Sequence, residues 1–434
     1  MDQLDQLPDD VVVAVMQFLD VKDVLACRLV CKRLCGLALD RDVWRHRLLE
    51  DFHPSAGAVL HLAPCLDTLT VMGRVLAATT TRCAVAKLEL FSNTWAAPNG
   101  APLALTLGLA LRNQESLGRL RGLQLGWMGS GLTLATDALV RTVASCSNLK
   151  SLEVIGLPNV IHPVQHGPPM PSLTYFRCSV DKNSASFVHT ILAGHAATLE
   201  EVNLVIGAGL EIADTSTTAE LLGTMPRLRS LRCQDLTDTT EFGTMLVEAL
   251  ISSERSHLER LALLEVKVVR PLLLALPSLP ALRHLDLDAV EPNDVLLKSI
   301  TPATAPALTL LEVVLLGFGL CPHAWLHRDA VKATLTANPK LHIQLWCNSD
   351  DKCVPQDCET CVVGCHQEVQ WDVVGKIGLY SHDPAKCPSP EDHTDDTDWS
   401  YRRTIVPPPA RGFVCDAFRL LVFVFAYVLF CQSF

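Results

Sequence analysis

Charge is scarce in this chain. Asp, Glu, Lys and Arg make up 19% of its 434 residues, and acids outnumber bases to leave a formal net charge of −11. No basic arm offsets that balance, which speaks against nucleic acid as a partner, because capture of a phosphate backbone needs clustered Lys and Arg. The short motifs of common catalysis are missing as well: no G-x-x-x-x-G-K-[ST] loop for phosphates, no H-E-x-x-H helix for metal, no G-x-S-x-G elbow for an acyl nucleophile. The expectation is a chain that is no enzyme by itself and carries no cofactor. No asparagine stands in an Asn-x-Ser/Thr acceptor site, and the opening MDQLDQLPDD lacks the basic-then-apolar pattern of a signal peptide. The 17 cysteines are an odd number, so they cannot all pair. A reducing compartment, cytoplasmic or nuclear, is expected.

Leucine is present in bulk but unevenly. Of 72 leucines, 68 precede residue 346, which places a domain boundary near Leu345. The following tail is acidic, and its Pro/Asp-rich stretch from Pro384 to Pro409 has too little apolar content to fold alone, so it reads as mostly linker.

The first fifty residues predict three short helices. Pro8 suits a first helical turn, Asp9 and Asp10 suit the positive end of a helix dipole, and Val12, Val15, Met16 and Leu19 recur at helical spacing. Asp20 can cap a second helix running through Leu37, apolar nearly all the way round, so that one of its faces needs a further cover. Asp40 starts a third through Val43, Trp44, Leu48 and Leu49. So small a bundle buries too little surface to stand without a partner or neighbouring domain. The order Leu7-Pro8, Asp10, Val15, Leu19-Asp20, Asp23-Val24-Leu25, Arg28, Val30-Cys31-Lys32-Arg33 and Trp44 resembles the F-box motif. Where that family often carries tryptophan after the paired basic residues, this chain has Leu34. The resemblance implies docking on the Skp adaptor, and through it on the cullin and RING subunits of a ubiquitin ligase, while the rest of the chain selects a protein substrate. Leu7, Pro8, Val12, Val15, Leu19, Val24, Leu25, Val30 and Trp44 are the adaptor contacts it implies.

From Leu120 onward, Leu at position i is followed by apolar residues at i+3 and i+5. The starts Leu120, Leu149, Leu173, Leu199, Leu228, Leu258, Leu282 and Leu308 are 24 to 30 residues apart. That spacing matches a leucine-rich repeat period, and weaker registers flank it at Val85 and Asn338. Helical patterns such as SFVHTILAGHAAT fill the second half of each unit. The fold class expected is therefore α/β: a three-helix F-box over 1–50, connecting helices over 51–84, and a leucine-rich repeat solenoid over 85–346. A Cys/Asp/Pro-rich irregular tail (347–411) and an apolar end (412–434) complete the chain. The i+8 position, Asn or Cys in such repeats, holds Leu157, Asp181, Gly207 and Leu236 among others, so the usual ladder between turns is missing from most units.

If i+3 and i+5 point into the core, then i+2, i+4 and i+6 face out on the concave side. Glu153, Arg177, Asn203, Arg232, His284, Asp286, Asp288 and Glu312 are the substrate-facing candidates this alternation selects, with bases mid-array and acids at the far end. A complementary, charged partner would suit them.

Two features of the tail stay open. Cys353, Cys358, Cys361 and Cys365 offer one C-x-x-C pair, weak as a zinc site, and the i, i+3, i+7 spacing of Cys358, Cys361 and Cys365 also fits a buried apolar stripe on a helix. The apolar run Leu420–Cys431 is shorter than a bilayer span, although 413–434 could attach to a membrane as a tail anchor or through prenylation at Cys431. A repeat scaffold without a ligase role, membrane-tethered or not, is the alternative reading.

Overall fold

The computed structural model describes residues 7–72, 76–92, 100–127, 134–157, 161–207, 209–236, 241–253, 257–264, 269–288, 294–315, 325, 328–347, 375–380 and 400–404. Two compact units divide the chain: Met1–Asp286 with Ala303–Ala307, and Leu287–Pro302 with Leu308–Phe434.

The first unit opens with four short helices rather than three: α1 (Asp9–Phe18), α2 (Val21–Cys27), α3 (Lys32–Leu37) and α4 (Arg41–Trp44). Asp20 caps α2 as expected, accepting a hydrogen bond from the Asp23 amide at 2.8 Å, and Asp40 caps α4 through Asp42 at 2.7 Å. The long second helix breaks because Cys31 takes an extended conformation (φ −157°, ψ 167°), leaving its Sγ to cap α3 at the Leu34 amide. The last helix stops at Trp44 because Leu48–Glu50 become strand β1, paired in parallel with β2 (Cys65–Val71). The span 51–84, expected to hold connecting helices, contains α5 (Ala56–Leu62), strand β2 and one 3-10 turn, so the sheet begins well before Val85. Leu66, Leu69 and Val71 of this strand are fully buried, without strict alternation along it.

Parallel strands and helices then follow in turn: β3 (Ala84–Ser92), α6 (Gly100–Ser116), β4 (Gly122–Trp127), α7 (Leu134–Ser145), β5 (Ser151–Ile155), β6 (Tyr175–Val180), α8 (Ala185–His195), β7 (Glu201–Ile206), α9 (Ile212–Gly223), β8 (Ser230–Asp235), α10 (Glu241–Ser252), β9 (Arg260–Leu264), α11 (Val269–Ala275) and β10 (His284–Asp288). Every ladder from β1 to β9 is parallel. Register makes the core: Leu88, Leu123, Leu152, Phe176, Val202, Leu231 and Leu261 stand in one row across β3 to β9. Leu90, Leu125, Val154, Cys178, Leu204, Cys233 and Leu263 form the next, and no residue of either row is more than 1% exposed. All eight repeat-starting leucines are buried too. Each such side chain contributes roughly 1.5 to 3 kcal/mol by leaving water. Parallel strands buried in this way need helices on the face that the core rows occupy, which the intervening segments supply.

Neighbouring turns are joined by backbone hydrogen bonds at the start of each strand. The carbonyls of Arg121, Lys150, Thr174, Glu200, Arg229 and Glu259 each accept two amides from the start of the next strand, as in Lys150 and Ser151 on Arg121. Arg47 does the same for Asp67 and Thr68, which ties the N-terminal helices into the sheet. Polar side chains at helix ends add further ties. Gln114, fully buried in α6, accepts from the Val85 amide and donates to the Cys83 carbonyl.

His195, 2% exposed at the end of α8, accepts with Nδ1 from the amides of Ser172 (3.0 Å) and Leu173 (3.3 Å). Burial lowers this imidazole to about 4, against an ordinary 6.5. Between pH 6.5 and 4 the unfolded chain therefore takes up a proton that the folded chain refuses. Stability contributed by His195 is complete above pH 6.5, falls by up to about 1.4 kcal/mol per pH unit as the solution acidifies through that window, and levels off below it. Urea unfolding at pH 7.0, 5.5 and 4.5 is expected to show this loss, and His195→Gln, whose side-chain oxygen still accepts, should flatten its share. Equal pH slopes for both proteins would show that the ring is not held neutral.

The second unit contains α12 (Asp294–Ser299), β11 (Leu310–Leu315), α13 (Asp329–Ala337) and β12 (His342–Cys347). β11 and β12 are parallel, with Glu312 opposite Gln344. Asn338 donates to the carbonyls of Ile300 and Thr334, both at 2.7 Å, and the Thr334 hydroxyl to Leu297 at 2.8 Å. The register flanking at Asn338 thus has Leu341 and Ile343 buried as expected, with a buried polar anchor at its head. The tail is not wholly irregular. β13 (Gly375–Tyr380) pairs antiparallel with β12, and β14 (Ser400–Thr404), inside the stretch read as linker, pairs antiparallel with β13. A return strand of this kind needs no crossover helix, so it leaves no repeat period to read.

Candidate functional site

Two surfaces of the first unit carry the residues selected from sequence. On the N-terminal helices, Val12 and Met16 of α1 turn inward with Val24, Ala38, Val43 and Trp44, all at most 5% exposed. Trp44 donates its indole N–H to the Ala38 carbonyl at 2.7 Å. Arg47 lies 5.4 Å from the Trp44 ring and donates to the carbonyls of Val43, Leu19 and Met16 at 2.7 to 2.8 Å, closing the end of α1. Arg33 reaches across to Asp9 (2.7 Å) and to the Leu7 carbonyl, fixing the entry to α1.

Other apolar side chains of these helices are open to solvent. Leu7 is 42% exposed, Val11 41%, Val15 54%, Phe18 90%, Leu29 87% and Val30 68%. Apolar side chains so exposed and so close in sequence mark a contact surface rather than a core. Of the adaptor contacts implied by resemblance, Leu7, Pro8, Val15 and Val30 are exposed and Leu19 and Leu25 half-buried. Val12, Val24 and Trp44 are buried within the bundle instead, at most 5% exposed. Val11, Phe18 and Leu29, which the motif did not select, are exposed as well. The signal lay in spacing, since Val11, Val15 and Phe18 lie four and three residues apart, a second stripe on α1 opposite Val12 and Met16.

The other surface is the sheet face turned away from the helices. Gln124, Glu153, Arg177, Asn203, Arg232 and Ala262 stand in one ladder row, as the strand alternation required. Arg232 is exposed, and Glu153, Arg177 and Asn203 are half-buried. Tyr175 sits in the adjoining row. Burial, with the Glu153 carboxylate beside it accepting its hydrogen bond, pushes that phenol up to about 12. The face narrows over β4, where the Phe91 ring lies against Gly126 so closely that a Cβ there would fall 2.4 Å from it.

At the expected acidic end two of the carboxylates are buried. Asp286 is 4% exposed, with Arg260 at 3.0 Å and His284 at 2.5 Å. Its charge is engaged by the strand's own neighbours. Glu312, in the second unit, is 6% exposed. The Asp288 side chain and the cysteines 353, 358, 361 and 365 lie outside the described residues, as does the apolar end 413–434. Among the described residues no helix is long and apolar enough to cross a membrane. Buried thiols in the first unit are held protonated: desolvation pushes Cys83 up to about 12, and Cys146, Cys178 and Cys233 are raised for the same reason.

A capped four-helix arrangement with exposed apolar residues and an inward Trp is what the N-terminal residues build. Residues 4–50 match the F-box-like family model. The match ends at Glu50, the last residue of β1, so the F-box-like domain hands the chain directly to the parallel sheet. No curated protein matches the chain.

Proposed function

We propose that this chain is the substrate-receptor subunit of a Skp/cullin/F-box ubiquitin ligase. The observation that carries the reading is the F-box-like domain with its exposed apolar residues Leu7, Val11, Val15, Phe18, Leu29 and Val30, which suit docking on the Skp adaptor. The adaptor brings cullin and RING subunits, and the leucine-register sheet holds the substrate through Glu153, Arg177, Asn203 and Arg232. In this reading the chain supplies no reacting group. It raises the rate by holding substrate lysines near a charged conjugating enzyme, converting an encounter into a positioned transfer. Its place of work is the cytoplasm or nucleus. The competing reading, a repeat scaffold without a ligase, separates at one experiment: co-purification of the full chain with the Skp adaptor, which the scaffold would fail.

Substrate capture is tested at the sheet face. Arg177 and Arg232 flank Asn203 in one row. Arg177→Glu with Arg232→Glu is expected to abolish substrate recovery in affinity capture, because like charges at a close contact cost several kcal/mol. Adaptor binding and the melting temperature should persist. Retention of every substrate by the folded double variant would move substrate binding away from this row.

A further inference from the structure

The charged side chains on the open face of the sheet are not all matched by neighbours. Towards its first strands Lys87 bonds Glu89 at 2.7 Å and Gln124 at 3.4 Å, and at β9 Arg260 bonds Asp286 at 3.0 Å. The middle differs. Glu153 and Arg177 stand opposite each other in the ladder between β5 and β6, where an ion pair would be ordinary. None forms, and the Glu153 carboxylate accepts from the Tyr175 hydroxyl instead. Asn203 is the partner of Arg177 across the next ladder. Among the described residues neither the Arg177 nor the Asn203 side chain makes a hydrogen bond or an ion pair, although both are half-buried.

A half-buried guanidinium has given up part of its water and gained no partner here. Its fixed fork of N–H groups matches a planar anion that accepts two of them, as a carboxylate does. The carboxamide beside it offers one donor and one acceptor group, which suits a peptide backbone. The adjoining positions decide from which side such a group enters. On one side the exposed Glu201 stands next to Tyr175 and repels acids. On the other, Phe91, Gly126 and Ile155 are in register across β3 to β5, and Ser179, Val205 and Gln234 across β6 to β8. None of those six is charged. Gly126 allows the Phe91 ring to lie against the strand, since a Cβ there would fall 2.4 Å from it, and Phe91, Ile155 and Val205 are half-buried.

We propose that Arg177 and Asn203 read one acidic residue, Asp or Glu, within an extended substrate segment whose flanking side chains are apolar. Arg177 holds the carboxylate through two N–H groups. The Asn203 carboxamide donates to a peptide carbonyl and accepts from a peptide amide, while the flanking side chains cover Phe91, Ile155 and Val205. A basic segment is rejected, because it would set like charge against Arg177 and leave that guanidinium covered without a partner. The inference rests on the reading of this face as the substrate surface and deepens it to a class of substrate.

The test selects peptides from a random displayed library on the purified full chain, then titrates each with a fluorescent label by anisotropy. The recovered sequences are expected to share one Asp or Glu with apolar neighbours. Replacing that acid by its amide should weaken binding at least about tenfold, the loss expected when a charge-assisted hydrogen-bonded pair is removed. Arg177→Gln should weaken the parent peptide equally and leave the amide peptide unaffected, so that the two losses do not add. A merely structural role for Arg177 would not produce that pattern, and the peptide replacement keeps its force in the unaltered protein even if Arg177→Gln melts early. Peptides that bind without an acid, yet are lost on Ile155→Asp, would overturn the acidic class while keeping the face as the substrate surface. Acid-dependent peptides indifferent to both Arg177→Gln and Ile155→Asp would overturn both, as would a library that yields no binder.

Discussion

Phe18→Asp combined with Leu29→Asp is expected to eliminate capture of the Skp adaptor by the full chain while leaving the fold intact. Phe18 is 90% exposed and Leu29 87%, so neither supports the core of the F-box-like domain. Their cost in the free chain is negligible because both carboxylates stay in water. At a docked interface the same positions would be apolar anchors, and truncating an anchor commonly costs about 2 kcal/mol or more. Two buried charges without partners add to that, so the affinity should fall at least about a hundredfold. Binding measured by calorimetry, beside a thermal melt of each protein, checks both halves. Undiminished adaptor binding by the folded variant would remove these residues from the proposed function, whereas loss of binding with unchanged melting would support it.

The opposite signature is expected at Trp44. This residue is fully buried, bonds Ala38 through its indole nitrogen and lies beneath Arg47, which in turn holds the last carbonyls of α1. Trp44→Ala removes a large core side chain and should cost about 3 to 5 kcal/mol. Urea unfolding monitored by far-UV dichroism measures the loss. Because the Arg47 carbonyl also receives the Asp67 and Thr68 amides, the damage should reach the first strands of the sheet. Amide exchange at Asp67 and Thr68 should accordingly rise with the variant. Normal stability together with lost adaptor binding would mean that Trp44 is a contact after all, and that the inner and outer faces of the bundle have been exchanged.

These two residues show where sequence reading reached and where it stopped. Both stand in apolar spacing, and the motif resemblance favoured Trp44 as a contact while passing over Phe18. Helical periodicity separates the faces of α1 but does not say which is inner when both carry apolar residues. Only the packing of α1 against α3 and α4 turns Val12 and Met16 inward and leaves Val11, Val15 and Phe18 outside. The sheet was more legible. Leu88, Leu123, Leu152 and Leu231 fall in one buried row because a period of two fixes every side chain once the strand is placed. Charge on the open face was less so: Asp286 alternates outward correctly, yet Arg260 and His284 cover it. Alternation assigns a face, while neighbours on adjoining positions assign exposure.

The amino-acid sequence by itself determined the F-box motif, the parallel leucine register and the row that joins Glu153, Arg177, Asn203 and Arg232, because each depends on spacing along one segment. The tertiary structure alone decided the start of the sheet at Leu48, the antiparallel return at residues 375–380 and 400–404, and the backbone carbonyls that join neighbouring turns. It also decided that the proline-rich segment 161–173 is held on two helices. Those features depend on hydrogen bonds between residues distant in sequence, such as Asp137 to Ile161 and His195 to Ser172. No local pattern encodes such a bond, since either partner alone is equally at home facing water, and only the folded chain brings donor and acceptor within reach.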